Sequence, residues 1–409
     1  MSAVAGDLRE RIRAVPGLDR LLPALEGLPP AFLVGGAVRD LLLGASSIDL
    51  DVAVEGDAVA SAHRLSRRLG GEVRLHERFG TATVRADGLT VDLATTRRER
   101  YPEPGALPEV EPAGLAEDLE RRDFTINAMA AGLTGEDLGR LHDPVHGRRD
   151  LGGATVRVLH DRSFVDDPTR LLRAVRYEAR LDFAMDPDTE KLARDAAAAG
   201  APGTVSGARI RDELLDLLAE PAAPSGLARL AELGIDTALH PHLDVDPELA
   251  ASAALGAAET GADPVLSTLA ALVSRSPATL TGWLDDLALR ADQRDRAARA
   301  ARRGPELVAE LRDEERASRL HELMHGEPPE TLALALASGA PAEPVLRYVR
   351  DLSDVRLEVT GDDLIAAGVP ESPAIGRALR ETLRRKLDGD VSGREAELEL
   401  ALSLAREGN

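Results

Sequence analysis

The chain has 409 residues, 44% of them apolar, enough for two or three domains with buried cores. It contains no cysteine, which excludes disulfide scaffolds, Cys-ligated zinc and cysteine nucleophiles together. Its 50 basic residues face 71 acidic ones, and the resulting charge of −21, taken alone, argues against a nucleic-acid partner.

In chain order, residues 31–35 (AFLVG) form a short apolar run that reads as a strand entering Gly35-Gly36. A helical pattern, AVRDLLL, follows and stops at Gly44, a C′ glycine. IDLDVAV (48–54) alternates with period two and predicts a strand, and EGDAVASAHRLSRRLGG predicts an amphipathic helix. ATVRA and LTVDLATT are extended runs flanking Asp87-Gly88, the signature of a hairpin turn. Residues 97–113 carry four prolines and many charges and read as a mobile loop. From about residue 151 onward, Ala/Leu/Arg/Glu-rich segments recur between Gly/Pro breaks with no fixed repeat. The pattern predicts an α/β head followed by a helical body.

Chemistry collects in the head. On the strand 48–54, Ile48, Leu50, Val52 and Val54 share one face, and Asp49 and Asp51 share the other. Carboxylates so placed stand roughly 6.5–7 Å apart at Cα and repel unless they are solvated or bridged by a divalent cation. In LTVDLAT, Asp92 lies opposite Leu89, Val91 and Leu93. A third carboxylate on a neighbouring strand would complete a two-metal site for in-line attack on a phosphoryl group. Gly35-Gly36 is a strand-to-helix turn whose backbone N–H groups can meet phosphates, with Arg39 one turn into the helix. Alone, a D-x-D is most often a solvated strand face and a Gly-Gly pair a tight turn. Together within 17 residues, Gly-Gly, Arg and Asp-x-Asp form a much stronger signal.

If residues 166–180 are helical, Asp167, Arg170, Arg173, Arg176 and Arg180 fall on one side, opposite Leu171, Leu172, Val175 and Ala179. That face is either a solvated stripe laced by i,i+3 pairs or a reader of base edges. An ionised Asp only accepts hydrogen bonds and Arg only donates. Cytosine and adenine offer an amino donor beside a ring-nitrogen acceptor; uracil and guanine offer a carbonyl beside a ring N–H. One Asp–Arg pair therefore selects C and A.

GGAVRDLLLG followed by DLDVAV resembles the head of the class II nucleotidyltransferases of the DNA polymerase β superfamily, the CCA-adding tRNA nucleotidyltransferases and bacterial poly(A) polymerases. RRDFTINAMA (121–130) is similar to the family's second motif and LHDPVHGRRDL (141–151) to its head-to-neck junction. DDPTRLLRAVRYEARL (166–181) resembles its nucleotide-selecting helix, and TGDDLIAAGVPESPAIGRALRETL (360–383) its C-terminal segment. The resemblance implies an elongated multi-domain chain: a polymerase β-like α/β head (1–150), then an all-α neck (151–205), body (206–345) and tRNA-binding tail (346–409).

It implies template-independent addition of CCA to the tRNA 3′ end from CTP and ATP, releasing pyrophosphate. Asp49, Asp51 and Asp92 would be catalytic, with Asp49 and Asp51 holding Mg²⁺. The nucleotide site would comprise Gly35, Gly36, Arg39, Arg122, Asp123, Asn127, Asp167, Arg170, Arg173 and Arg176. Within it, Asp167 and Arg170 select the base, supported by Arg173 and Arg176, and Arg122 contacts the nucleotide. Asp123 accepts from a 2′-hydroxyl, and Asn127 lies four residues on, on the same helix face. The partner is the acceptor arm and 3′ end of tRNA, with no membrane and no nucleic-acid template.

The resemblance also ranks the rivals. Asp166 stands where relatives usually have Glu, keeping the charge but shortening its reach. Members that add only CC typically lack a flexible loop before the RRD motif; residues 97–118 supply one, favouring CCA or A addition. The short tract before RRDFTINA and the absence of basic arms disfavour a poly(A) polymerase. The full set of carboxylates disfavours a non-catalytic tRNA-binding homologue. A small-molecule nucleotidyltransferase would keep D-x-D without the selector-helix match. His240-Pro241-His242 reads as a surface loop rather than a metal pair, and Trp283 as body core.

The negative charge is uneven. Residues 1–180 hold 25 basic and 29 acidic residues, and residues 181–409 hold 25 and 42, so most of the −21 belongs to the helical part. There it limits nonspecific RNA binding. The basic residues are 48 Arg and only two Lys, Lys191 and Lys386, and Arg forks suit phosphate and base edges. A GC-rich genome would give the same bias. With five Phe, three Tyr and one Trp, base stacking on exposed rings is a poor fit. No apolar run reaches the ~18 residues of a bilayer span, and the first residues lack the order of a signal peptide, so a soluble cytoplasmic protein is expected.

Overall fold

The computed structural model of the chain describes residues 8–45, 48–76 and 80–407; the first seven, scanned above for a leader, lie outside them. Contacts divide it into two compact units. One runs to Ala222 and includes Glu232–Leu239, and the other comprises Ala223–Ala231 and the residues from His240 onward. Among the described residues no helix is long and apolar enough to cross a membrane.

The first unit contains strands β1 (Ala31–Val34), β2 (Leu50–Val54), β3 (Glu72–His76), β4 (Thr81–Ala86), β5 (Leu89–Thr95), β6 (Arg97–Arg100), β7 (Glu109–Pro112), β8 (Ala130–Gly132) and β9 (Leu141–His142). Seven of them form one sheet in the order β3-β4-β5-β2-β1-β8-β9. Its pairings are antiparallel except that of β2 with β5. Asp87 and Gly88 both take positive φ (43° and 79°), as a two-residue turn between β4 and β5 requires. The helix Gly36–Leu43 ends on Gly44 at φ 87°. The helix Ala58–Leu69, capped by Asp57 accepting from the Ala60 N–H, packs on β3–β5. Phe32, Val34, Ala53 and Ala130 form a core with Leu115 and Leu119 of the helix Leu115–Glu120.

Two expectations are corrected here. Residues 97–113 are not a loop: β6 and β7 pair antiparallel from Arg97↔Pro112 to Arg100↔Glu109. Pro102, Pro104 and Pro108 lie between the strands and Pro112 ends the ladder, so none interrupts it. The mixed charges that look loop-like face each other across the hairpin, Arg98 meeting Glu111 at 2.6 Å. The expected helix over 166–180 begins instead at Thr169 and runs to Leu181, after a short helix Ser163–Asp166. Pro168 disfavours helical backbone at the residue before it, and Asp167 is extended (φ −134°, ψ 91°).

Among its described residues, the regular elements of the second unit are all helices. The helices Pro247–Thr260, Pro264–Ser274, Ala291–Glu310 and Pro329–Ala337 meet along a seam of Ala253, Ala270, Ala271, Ala300 and Leu334. A Cβ on Gly256 would stand 2.8 Å from the Ala333 carbonyl, and one on Gly304 would stand 3.0 Å from Leu334. As expected, Trp283 is buried. Leu364, Val369, Ile375, Ala378, Ala401 and Ala405 form a separate cluster. Beside it, the wholly buried Glu397 takes Lys386 Nζ at 2.6 Å and the Glu358 N–H at 2.7 Å.

Removing that carboxylate leaves the Glu358 N–H without its acceptor and Lys386 Nζ with the Arg356 carbonyl at 2.8 Å and Glu358 at 3.8 Å. Glu397→Ala is expected to lower stability by about 2 kcal/mol, read as a fall in the urea midpoint of unfolding. An unchanged midpoint would contradict the assigned role.

Candidate active site

β2 and β5 are adjacent and parallel, with Asp51 and Asp92 as Cα partners. Their side chains therefore leave the same face of the sheet, the one that Ala53 shares. β2 begins at Leu50, and the Asp51 N–H donates to the Asp49 carbonyl at 3.1 Å, so a tight turn puts Asp49 ahead of the strand. The Asp51 carboxyl is held above the usual carboxylate range, first by surrounding protein and then by the charges of Asp92 and Asp49, with Arg122 opposing. Thr83, the cross-strand partner of Asp92, donates to its Oδ1 at 2.5 Å. Among the described residues, no three His, Asp or Glu side chains are gathered as a ready metal cage.

A cavity of about 340 Å³ is lined by Asp51, Asp92, Thr81, Asp118, Arg121 and Arg122, among others. Asp118 was not singled out in the sequence, although its spacing from Arg121 and Arg122 (i,i+3 and i,i+4) carried the signal. It takes Arg121 Nη2 at 2.8 Å and Arg122 Nη2 at 3.0 Å. Burial alone would raise its carboxyl, but the two guanidiniums hold it below the usual range. Arg122 Nε is buried without a hydrogen bond among the described residues. Gly35 (φ 67°) lies against the same side chain; a Cβ there would stand 2.6 Å from Arg122 Nη1. The Gly35 N–H is taken by the Met129 carbonyl at 3.1 Å. The amides facing outward from this turn are thus those of the helix start, from Gly36 on.

The RRD motif is not helical. Thr125–Asn127 is a single 3₁₀ turn, yet Asn127 still reaches Asp123, donating from Nδ2 to Oδ1 at 3.0 Å. The turn, not a helix face, makes the contact. Asp123 Oδ1 also takes the Phe124 N–H at 2.8 Å, and Oδ2 takes Arg173 Nε at 2.9 Å and Nη2 at 2.7 Å. Four donors fill the acceptor positions of one carboxylate, so the expected bond from a 2′-hydroxyl has no position left in this arrangement. Burial would raise the carboxyl, but Arg173 and Asn127 hold it below the usual range. Arg39 differs from expectation too. It is buried, donates to Asn127 Oδ1 at 2.7 Å and to Asp40 at 2.8 Å, and lies over the Tyr177 ring. It braces the motif and does not face the cleft as a phosphate ligand. Arg173 continues to Glu213 at 2.9 Å, and Arg176 pairs with Asp216.

Asp167 and Arg170 do not pair with each other. Asp167 Oδ1 accepts from Thr169 N–H and Oγ1 (3.1 and 2.7 Å) and from Arg209 Nη2 (2.8 Å). The buried Arg170 donates from Nη2 to the Arg121 carbonyl at 3.0 Å, and its Nη1 has no hydrogen-bond partner among the described residues. It lines a cavity of about 360 Å³ with Arg121, Glu99, Tyr101 and His160. The Tyr101 phenol there is pushed up to about 12, chiefly by burial, against the pull of Arg170.

Comparison with known proteins points to one family. A model of the poly A polymerase head domain matches residues 31–157, and one for a probable RNA and SrmB-binding site of polymerase A matches residues 182–246. The A-adding tRNA nucleotidyltransferase of Geobacter sulfurreducens is 36% identical over 92% of this chain; the match covers 45% of that protein, so this chain spans about half its length. The CC-adding tRNA nucleotidyltransferase of Deinococcus radiodurans is 35% identical over 89% of this chain and 87% of its own. The structure of the Thermotoga maritima CCA-adding enzyme complexed with tRNA superposes with a TM-score of 0.78 at 31% identity, covering 97% of this chain and 98% of that one.

Asp123→Asn is expected to cost about 3 kcal/mol at neutral pH, since it strips the charge facing Arg173. The folded-state carboxyl lies below its ordinary value of about 3.9, so this stabilisation is complete above that pH and lost as pH falls through and below it. The gap between wild type and variant in urea unfolding should shrink below about pH 4. A gap that stayed constant into stronger acid would refute the assignment.

Proposed function

The chain belongs to the tRNA nucleotidyltransferase and poly(A) polymerase family, and from that premise we propose that it adds CCA to the 3′ end of tRNA from CTP and ATP, without a nucleic-acid template, releasing pyrophosphate. The observation that carries the reading is the in-register pair Asp51–Asp92 in one cleft with Arg121 and Arg122.

Asp49, Asp51 and Asp92 are the catalytic carboxylates of this reading, and Asp49 and Asp51 are the ligands of Mg²⁺. The donor set fits such an ion. It is all oxygen, and the like charges that raise Asp51 are relieved by a cation. When bound, the ion supplies Lewis-acid activation of the primer 3′-hydroxyl and neutralises charge on the departing pyrophosphate. Asp92 Oδ2, with Oδ1 fixed by Thr83, accepts the proton of that hydroxyl. Arg122 binds the triphosphate beside the Gly35-Gly36 turn, where any side chain at position 35 would collide with it. Asp167 accepts from the amino group of cytosine or adenine and Arg170 donates to the adjacent ring nitrogen. Asp123, Asn127, Arg39, Arg173 and Arg176 position these groups. The segments from residue 151 onward, helical but for the short parallel strand pair Thr155–Val156 and Ala184–Met185, hold the acceptor arm as neck (151–205), body (206–345) and tail (346–409).

A second reading, addition of A alone, is favoured by the A-adding name of the Geobacter relative. Purified protein offered tRNAs ending in the discriminator base, in C or in CC, with CTP and ATP supplied separately, decides between them. Full CCA on the first supports the proposal; extension of only the CC-ended tRNA converts it to the second reading.

Asp49→Ala and Asp51→Ala are expected to abolish incorporation while tRNA binding in a filter assay persists; substantial activity in either would sink the carboxylate assignment. Arg170→Ala should relax discrimination against UTP and GTP by about tenfold or more, one lost polar contact being worth about 1–3 kcal/mol. Unchanged fidelity would remove Arg170 from base selection.

A further inference from the structure

We propose that Arg209 is a positioning residue for base selection, tying the orientation of the Asp167 carboxylate to the tip of the β6–β7 hairpin. The inference rests on the reading of Asp167 as a base-reading group. Arg209 lies on the helix Gly207–Leu218, and its guanidinium is forked between two partners. Nη2 donates to Asp167 Oδ1 at 2.8 Å, and Nη1 donates to the Gly105 carbonyl at 3.0 Å.

Gly105 lies between β6 and β7, and its position is fixed from three sides. Its N–H donates to the Asp166 carbonyl at 3.2 Å. Its φ is +72°, and a Cβ would stand 2.2 Å from Thr204 Oγ1 and 2.6 Å from the Thr204 carbonyl oxygen, so only glycine seats here. The hairpin tip is therefore docked on the backbone beside Asp167, and Arg209 closes the contact through the side chain.

The consequence for Asp167 follows from its hydrogen-bond inventory. Oδ1 takes three donors, from Arg209 and from the Thr169 N–H and Oγ1. Among the described residues Oδ2 takes none. The carboxylate is held at one oxygen, and the other is the acceptor it presents. Without Arg209 the only donors left among the described residues are on Thr169, two residues along the same chain, and they do not define the plane of the carboxylate against the rest of the fold. A lysine cannot reproduce the fork, because a single ammonium cannot match two partners in fixed planar directions.

Discrimination is measured as the ratio of kcat/KM for CTP and ATP to that for UTP on the tRNA each extends, for wild type, Arg209→Ala, Arg209→Lys and Gly105→Ala. Thermal melts of each variant are run in parallel. Arg209→Ala and Gly105→Ala are expected to lower the ratio by about tenfold, the loss of one oriented polar contact. Arg209→Lys is expected to melt near wild type yet regain only part of the ratio. Wild-type discrimination in Arg209→Ala overturns the proposal, as does full recovery by lysine. Equilibrium dialysis of CTP, ATP and UTP without tRNA separates this inference from the reaction it rests on. If wild type extends no tRNA, the proposed reaction fails, and Arg209 is judged on binding alone. A wild-type preference for CTP and ATP that Arg209→Ala loses upholds it; a preference that Arg209→Ala keeps, or none in wild type, overturns it.

Discussion

Four hydrogen bonds converge on the carboxylate of Asp123, whose side chain is 11% exposed. A charge so withdrawn from water is tolerated only when its acceptor positions are filled by fixed donors. Those donors come from the turn after the RRD motif and from the helix Thr169–Leu181, fifty residues away. Satisfying Asp123 therefore fixes where the helix lies against the sheet. The constraint propagates: Asn127 holds Asp123 with its amide and Arg39 with its carbonyl, and Arg173 passes on to Glu213. The helix after Gly35-Gly36, the motif turn and the helix Gly207–Leu218 are thereby registered to one another by charge rather than by apolar packing alone.

The same logic explains the burial of so many arginines. Arg39 and Arg170 are each less than 5% exposed and Arg176 is 9% exposed, so the face of the helix Thr169–Leu181 that carries Arg170, Arg173 and Arg176 is not a solvated stripe. Guanidinium is weakly hydrated and planar, so it enters a protein interior at lower cost than ammonium when its fork is matched. Tyr177 packs among three of these groups, its ring within 6 Å of Arg39, Arg173 and Arg176. The Arg bias that codon usage alone could produce is here put to structural use.

Much of the fold was legible because it is written in periodicity. β5 alternates over its first five residues, Asp87-Gly88 dictates its own turn, and Gly44 ends its helix where a left-handed residue is needed. Elements held by charge were not legible. The β6–β7 hairpin has no apolar alternation; Arg98 and Glu111 pair across its strands, and Glu99 is held by Arg121. Pro168 did announce that Asp167 leaves the helix, and weighing it against the arginine spacing would have moved the helix start. Among the site residues, Asp51 and Asp92 were readable as same-face carboxylates, whereas their in-register pairing depends on the chain going out through β3 and β4 before returning. Partners such as Glu213 and Arg209, 40 and 42 residues from the groups they hold, leave no local trace.

The seam of the second unit has a consequence of another kind. At Gly256 the neighbouring helix backbone comes as near as a missing side chain allows, and alanines fill most of the rest. The spacing of these helices is set by main-chain bulk, with little side-chain cushion to redistribute a misfit. Such an interface tolerates erosion better than growth: trimming Leu334 leaves a void, but a single added methyl at Gly256 drives two helix axes apart. Sequence drift there is confined from above, toward the smallest residues, and the abundance of glycine and alanine in this half of the chain is a steric ceiling as well as a compositional habit.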